Sequence, residues 1–238
     1  MKNIVLILIA GFLLWGCDDS VDPTASTGTI TGTVKLSKAT NNDYSGVTII
    51  LDGPPYSTTS NVSGTWVMSD VPAGVYKIDF NKLGYFTQTF YNFQFVGSGT
   101  YYFYTLTLPK IPSERVTQLD VQVIDTTSIY FSGLISPAVQ SQQNVILLLS
   151  TSPLTRTIPI EAFDISVFGA SEGQYEYGIY YFPEWHTEIS SGDTLYAVAF
   201  LGDDQNVGVS YNPINSSYIY NTPAGEGFLS NIVSVIVP

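Results

Sequence analysis

Gly28-Thr29-Ile30-Thr31-Gly32-Thr33-Val34-Lys35-Leu36 alternates without a break. Ile30, Gly32, Val34 and Leu36 fall on one face, and Thr29, Thr31, Thr33 and Lys35 on the other. Successive side chains of an extended chain point to opposite faces, so a period of two marks a strand buried on one side. The same signature continues outward. Residues 47–51 form a second predicted strand, closed by the turn sequence Asp52-Gly53-Pro54-Pro55. Residues 65–68, 75–80, 85–96 and 101–108 follow, separated by Gly, Pro, Asn and Ser. Strands at this spacing predict a β-sandwich.

Composition extends the reading to the whole chain. Of its 238 residues, 45% are apolar and only 12% charged, against about 25% in an average soluble protein. Tyr, Phe, Thr, Val and Ile dominate, helix formers are scarce, and no long stretch repeats at helical spacing. The expected fold class is all-β, with two tandem Greek-key sandwich domains after a signal peptide. The formal charge of −12 is uneven. Residues 17–112 hold five Lys against seven Asp, whereas residues 113–238 hold two Arg against thirteen Asp and Glu. Such an acidic half repels phosphate backbones, so no nucleic-acid partner is expected.

Several motifs of the first half occur in order: Gly28 to Val34, Ser45-Gly46-Val47, Ser63-Gly64-Thr65-Trp66, Val71-Pro72-Ala73-Gly74-Val75-Tyr76 and Leu83-Gly84-Tyr85. Together they resemble the carboxypeptidase regulatory-like domain, a seven-stranded transthyretin-like Greek-key sandwich, over residues 28–109. The resemblance implies a scaffold without chemistry of its own. Gly64 and Gly74 are expected in hairpin turns that need positive φ, with Tyr76 and Tyr85 at or near the core. One relative of that domain cross-links a first-strand Lys to a last-strand Asn or Asp. Lys35 matches the first partner, but residues 99–108 contain neither Asn nor Asp, so no cross-link is expected.

Pro109-Lys110-Ile111-Pro112-Ser113 contains the linker (residues 110–113), stiffened by its prolines. Beyond it, residues 119–124, 128–135, 145–150, 175–182, 194–201 and 232–237 read as strands. Ser191-Gly192-Asp193-Thr194-Leu195-Tyr196 and Ser230-Asn231-Ile232-Val233 resemble the last two strands of a fibronectin type III-like or immunoglobulin-like sandwich, assigned to residues 114–238. Between those strands lie twenty-eight residues, 202–229, where a minimal hairpin needs two to five. Two compatible readings are open: a recognition loop, or an extra hairpin built from Val207-Gly208-Val209 and Tyr218-Ile219-Tyr220.

The chain opens with Lys2 and an apolar run from Ile4 to Trp15. Twelve helical residues span about 18 Å, short of the roughly 30 Å hydrocarbon core, so the run fits a signal peptide (residues 1–16) better than a membrane span. Leu14-Trp15-Gly16-Cys17 resembles the lipobox of bacterial lipoproteins. The resemblance implies acylation of Cys17, the only cysteine, with residues 17–27 as a flexible tether. The membrane would then be a partner through lipid. Asp18 and Asp19 resemble the export signal of outer-membrane surface lipoproteins, although in other bacteria an Asp there favours the inner membrane. The expected location is the bacterial cell envelope, with the outer membrane first.

Chemistry is thinly represented. A nucleophilic triad needs a His beside Ser or Cys, and the only His is His186, with no Gly-x-Ser-x-Gly elbow. Asp203, Asp204 and Asn206 lack the spacing and terminal Glu of an EF-hand. Glu184 and Glu188 flank His186 without the marks of a matched acid and nucleophile. Neither catalytic residues nor a cofactor nor a metal is expected, and the chain reads as a non-enzyme. Trp185, Tyr211, Tyr218 and Tyr220 are the expected ligand contacts, because exposed Tyr and Trp offer large area at low entropy cost. The function expected is a cell-surface binding or adhesion module for glycan or protein. The alternatives are a structural or assembly component of a surface complex and, remotely, a glycan hydrolase.

Overall fold

The computed structural model describes residues 26–52, 56–126, 128–136, 143–155, 160–162, 164–170, 174–180, 189–202, 209–220 and 229–238. The expected signal peptide (residues 1–16), Cys17 and the acidic residues after it lie outside the described residues. The described chain is nearly all β, and its sheets form β-sandwiches.

The first sandwich is built on the alternating segment quoted above, which is β1 (Thr27–Leu36). Its inner residues Ile30, Val34 and Leu36 are buried. β1 lies between β4 (Thr65–Pro72), antiparallel to it, and two short parallel partners, β7 (Thr100–Tyr102) and β8 (Leu106–Leu108). The facing sheet has the order β3-β2-β5-β6, with β2 (Thr48–Leu51), β3 (Ser57–Thr59), β5 (Gly74–Asn81) and β6 (Gln88–Phe95). First and last strands running parallel in one sheet is the Greek-key closure the sequence led us to expect. Between the sheets Trp66 meets Phe80 edge-on at 5.7 Å. Gly32 makes room for that indole: a Cβ there would stand 2.9 Å from Trp66 Cζ2.

The last strand, expected unbroken over residues 101–108, is split. Phe103 turns into the core, and its N–H makes the last bond of that stretch to β1, donating to the Thr31 carbonyl at 2.7 Å, before pairing resumes at β8. Gly74 is a second difference. It opens β5 and is absent from the positive-φ residues, whereas Gly64 has φ +83°.

The second sandwich sets β14-β10-β9 against β13-β11-β15-β18. These strands are β9 (Arg115–Asp125), β10 (Ser128–Ser136), β11 (Gln143–Ser150), β13 (Asp164–Ala170), β14 (Gln174–Tyr180), β15 (Thr194–Gly202) and β18 (Val233–Ile236). Three strands thus face four. Its core joins Leu119, Ile129, Phe131, Leu147, Ala199 and Val237, among others. Side chains just before β18 stitch the two sheets. Asn231 accepts from Leu119 N–H through Oδ1 and donates to the Leu119 carbonyl through Nδ2, both at 2.8 Å. Ser230 makes a comparable reciprocal pair with the backbone of Ala199, at 2.8 and 2.9 Å.

A third sheet, of order β12-β17-β16, comes from the connections of the second sandwich. It consists of β12 (Ile160–Ala162), β16 (Val209–Asn212) and β17 (Ser217–Tyr220). The long connection over residues 202–229 therefore contains an extra hairpin, with Tyr211 opposite Tyr218. The hairpin folds against the first half, where Thr89 N–H on the edge strand β6 donates to Ser210 Oγ at 2.9 Å. Phe86 and Ile111 from the first half and the linker join Ile146, Leu148, Val198, Phe200, Tyr220 and Leu229 in a separate apolar cluster. The linker is itself held: Phe86 N–H donates to the Pro109 carbonyl at 2.9 Å and Ile111 N–H to the Gly84 carbonyl at 3.0 Å.

Candidate functional site

The described residues place aromatic rings in two kinds of position. The first is the open side of the first sandwich, where β6 and β7 are both edge strands. The break after β7 points Phe103 inward and leaves its neighbours outside: Tyr101 is 43%, Tyr102 78% and Tyr104 57% exposed. These rings are not loose. Tyr104 stacks on Phe103 with centroids 4.6 Å apart and interplanar angle 21°, and meets Phe90 edge-on at 5.6 Å. Tyr101 meets Phe93 edge-on at 5.0 Å. Phe90 and Phe93, on β6, are half-buried against the core cluster, so they tie the exposed rings to the interior.

The outcome is a ledge of pre-oriented aromatic faces with phenol hydroxyls at the rim. Partial burial, and then the neighbouring Tyr101, raise the Tyr104 phenol above its ordinary value. Tyr104 therefore acts as a neutral donor and acceptor across the physiological range. Stacked and edge-to-face rings lose little freedom on binding, which suits them to hold a flat apolar surface such as the C–H face of a sugar. The signal was in the sequence, in Tyr101-Tyr102-Phe103-Tyr104, where a strand of plain alternation cannot bury four consecutive rings.

The second position is the β16–β17 hairpin. Tyr211, half exposed, lies 5.3 Å from the partly buried Tyr218, ring centroid to ring centroid. These two of the expected contacts are brought together. Trp185 lies outside the described residues, as do Glu184, His186, Glu188, Asp203, Asp204 and Asn206.

Tyr220 is a correction. It was expected among the ligand contacts, but it is fully buried, with Phe200 at 4.3 Å and Phe86 at 6.0 Å. Strand alternation explains this: Tyr218 and Tyr220 share a face, but the hairpin presses the Tyr220 end onto β11 and β15. The continuous apolar runs Val145 to Leu149 and Ala197 to Leu201 carry the signal, since a strand covered on one face alternates and these do not.

Among the described residues the buried Tyr220 hydroxyl has no hydrogen-bond partner. Desolvation dominates its surroundings and raises its ionisation far above the ordinary tyrosine value, with the Arg115 charge opposing weakly. A folded-state value above the unfolded one means that stability is intact below about pH 10 and falls as pH rises further. Tyr220→Phe is expected to stabilise the chain by about 1 kcal/mol at neutral pH, by removing an unsatisfied polar group. It should also abolish an alkaline loss of about 1.4 kcal/mol per pH unit. Urea unfolding of both proteins from pH 8 to 11 measures this; parallel curves would refute it.

Among the described residues no group of three or more His, Cys, Asp or Glu could hold a metal ion. No described helix is long and apolar enough to cross a membrane.

No protein-family model matches the chain, and no curated protein matches it. Solved structures with similar folds include a DUF3823 family protein from Parabacteroides merdae, at 15% identity over 87% of this chain and 98% of that one, TM-score 0.34. A "putative carbohydrate binding protein" from Bacteroides uniformis shares 14% identity over 88% of this chain and 98% of that one, TM-score 0.32. A type II cohesin–X-dockerin complex from Acetivibrio cellulolyticus shares 20% identity over 34% of this chain, TM-score 0.31. The present chain spans 56% of that last chain. Likeness at this level concerns the sandwich fold and assigns neither ligand nor activity.

Proposed function

We propose that this chain is a non-catalytic, lipid-anchored lipoprotein of the bacterial envelope that binds a glycan or protein ligand. In this reading Cys17 carries the lipid, and the outer membrane is the anchor. Residues 28–109 form a carboxypeptidase regulatory-like domain, and residues 114–238 form a fibronectin type III-like domain. The observation that carries the binding role is the ledge of Tyr101 and Tyr104. Two exposed rings, each packed edge-on against a phenylalanine of β6, form a contact surface beside the core. Glycan is the first choice, because ring faces rimmed by hydroxyls complement the mixed apolar and polar faces of a sugar.

A glycan and extracellular-protein array, probed with the full-length chain in detergent, tests this against the double variant Tyr101→Ala, Tyr104→Ala. Binding is expected to weaken about tenfold or more, as for loss of anchoring aromatics, while cooperative unfolding is retained at a lower midpoint, since each ring pair lost costs about 0.5–1.5 kcal/mol. Binding that survives the double change would move the site off the ledge, and the matching change of Tyr211 and Tyr218 would then locate it on the hairpin.

A further inference from the structure

The chain enters the first sandwich at a clamped point. Ser26 Oγ donates to the Gly97 carbonyl at 2.5 Å, and the Ser26 carbonyl accepts from Ala73 N–H at 3.0 Å. Gly97, at φ +70°, permits this approach: a Cβ there would press into the Ser26 carbonyl oxygen and the Ala73 nitrogen. Ser26 is thus held between the turn from β4 to β5 and the turn from β6 to β7. Beside each turn stands an exposed valine, Val75 at 61% and Val96 at 74% exposure. Gly74 pairs with Phe95 and Val75 with Gln94, so both valines lie at the same end of one ladder. We infer that this base of the first sandwich seats on the bilayer surface, an assignment that rests on the reading of Cys17 as the lipid-bearing residue.

Chain geometry limits the distance. Nine residue steps separate Cys17 from Ser26, so the clamp lies at most about 30 Å from the lipid-bearing residue, whatever path the chain takes. From the clamp β1 runs ten residues, about 33 Å, to Leu36. At that far end Leu36 pairs with Leu108, and Ile111 N–H of the linker donates to the Gly84 carbonyl. The base is therefore the end held to the bilayer, and the linker to the second half leaves from the opposite end.

Charge suits the same contact. In a chain of net charge −12, residues 26–34, 71–76 and 83–109 contain no Asp, Glu, Lys or Arg. These stretches supply all three segments of the base, so no carboxylate within them is desolvated or pressed against anionic headgroups. The flanking Asp70 and Lys77 are opposite in sign. One exposed valine is ordinary on a protein surface. Two at an uncharged end, on either side of the entering chain, give that end an apolar foot. A contact made within so short a reach is intramolecular, so a modest affinity suffices to hold it.

The test carries a polarity-sensitive fluorophore on Val75→Cys, Val96→Cys or Leu83→Cys in the full-length chain, incorporated into phosphatidylcholine vesicles through its own lipid. The one native cysteine, Cys17, is then occupied, so each label is unique. Leu83 is the control, 89% exposed in the turn between β5 and β6 at the opposite end. Nitroxide-bearing lipid is expected to quench the labels at 75 and 96 and to leave the label at 83 bright. Adding Val75→Asp to the Val96→Cys chain should abolish the quenching at 96, because a charge must then enter the interface. All three side chains are exposed, so cooperative melting will show that the variants fold. Equal quenching at all three positions, none at any in a chain that floats with the vesicles, or quenching untouched by Val75→Asp would overturn the seated base and leave the anchor standing. A chain that does not float, and whose Cys17 carries no acyl group by mass spectrometry, would remove the anchor and the seated base together.

Discussion

Phe86→Ala is expected to split the unfolding of this chain into two transitions and to remove about 3–5 kcal/mol of coupling between its halves. Phe86 belongs by sequence to the first half, yet its ring is fully buried at 6.0 Å from both Phe200 and Tyr220, which come from the second. Truncating it leaves a cavity in the cluster that spans the junction and removes no side chain from either sandwich core. The sandwiches should therefore survive while their mutual stabilisation is lost. Calorimetry should show one broadened or doubled endotherm in place of a single cooperative one. Thr89→Pro would be a blunter version, since it deletes the N–H that Ser210 Oγ accepts from. A single transition with an unmoved midpoint in Phe86→Ala would mean that the cluster adds no coupling, and the halves would then have to be treated as independent.

This coupling shapes what the molecule can do. A five-residue connection with two prolines already limits swinging, but here the connection is also hydrogen-bonded to Gly84 and Phe86 and capped by a hairpin from the far half. The edge strand β6, which would otherwise present unpaired backbone groups, is covered on one stretch by β16. The hairpin thus does by packing what a disulfide would do covalently, in a chain whose only cysteine is Cys17.

How much of this was legible depends on the length scale of the signal. The long alternating strands β1, β9 and β10 could be read directly, because one-sided burial imposes a period of two over many residues. β3 and β12, of three residues each, are too short to show any period. β13 was missed although Ile165 and Val167 alternate with polar neighbours, because seven residues without turn signals on both sides do not separate from loop. The expected binding aromatics were placed by counting tyrosines in a long connection. Counting cannot tell a ring aimed at solvent from one aimed at the other half of the chain, and Tyr220 is the second kind. The continuous runs in β11 and β15 did contain that information, since a strand apolar on both faces must be covered twice.

Gly64→Ala is expected to cost about 3–5 kcal/mol, whereas Gly74→Ala should cost about 1 kcal/mol, although both glycines looked alike in the sequence. Gly64 closes the turn between β3 and β4 with its N–H on the Asn61 carbonyl at 2.8 Å, and at φ +83°. A left-handed alanine costs about 1–2 kcal/mol before any contact is made. Its Cβ would also press into the Val34 carbonyl oxygen and stand 3.1 Å from Tyr44 Cβ. The Val34 N–H donates to the Gly64 carbonyl at 2.9 Å, so relief would have to break the ladder that holds β1 to β4. Gly74 carries no such φ, and a Cβ there would meet only the end of the Tyr76 ring, at 3.0 Å from Cζ and Oη. That ring can move aside at the cost of its hydrogen bond to the Pro72 carbonyl, now 2.9 Å, a net loss of about 0.5–1.5 kcal/mol. Urea midpoints of the two variants measured side by side decide the matter. Equal losses would mean that the turn at Gly64 relaxes freely, and the rigid pairing of β1 with β4 at the base of the first sandwich would have to be given up.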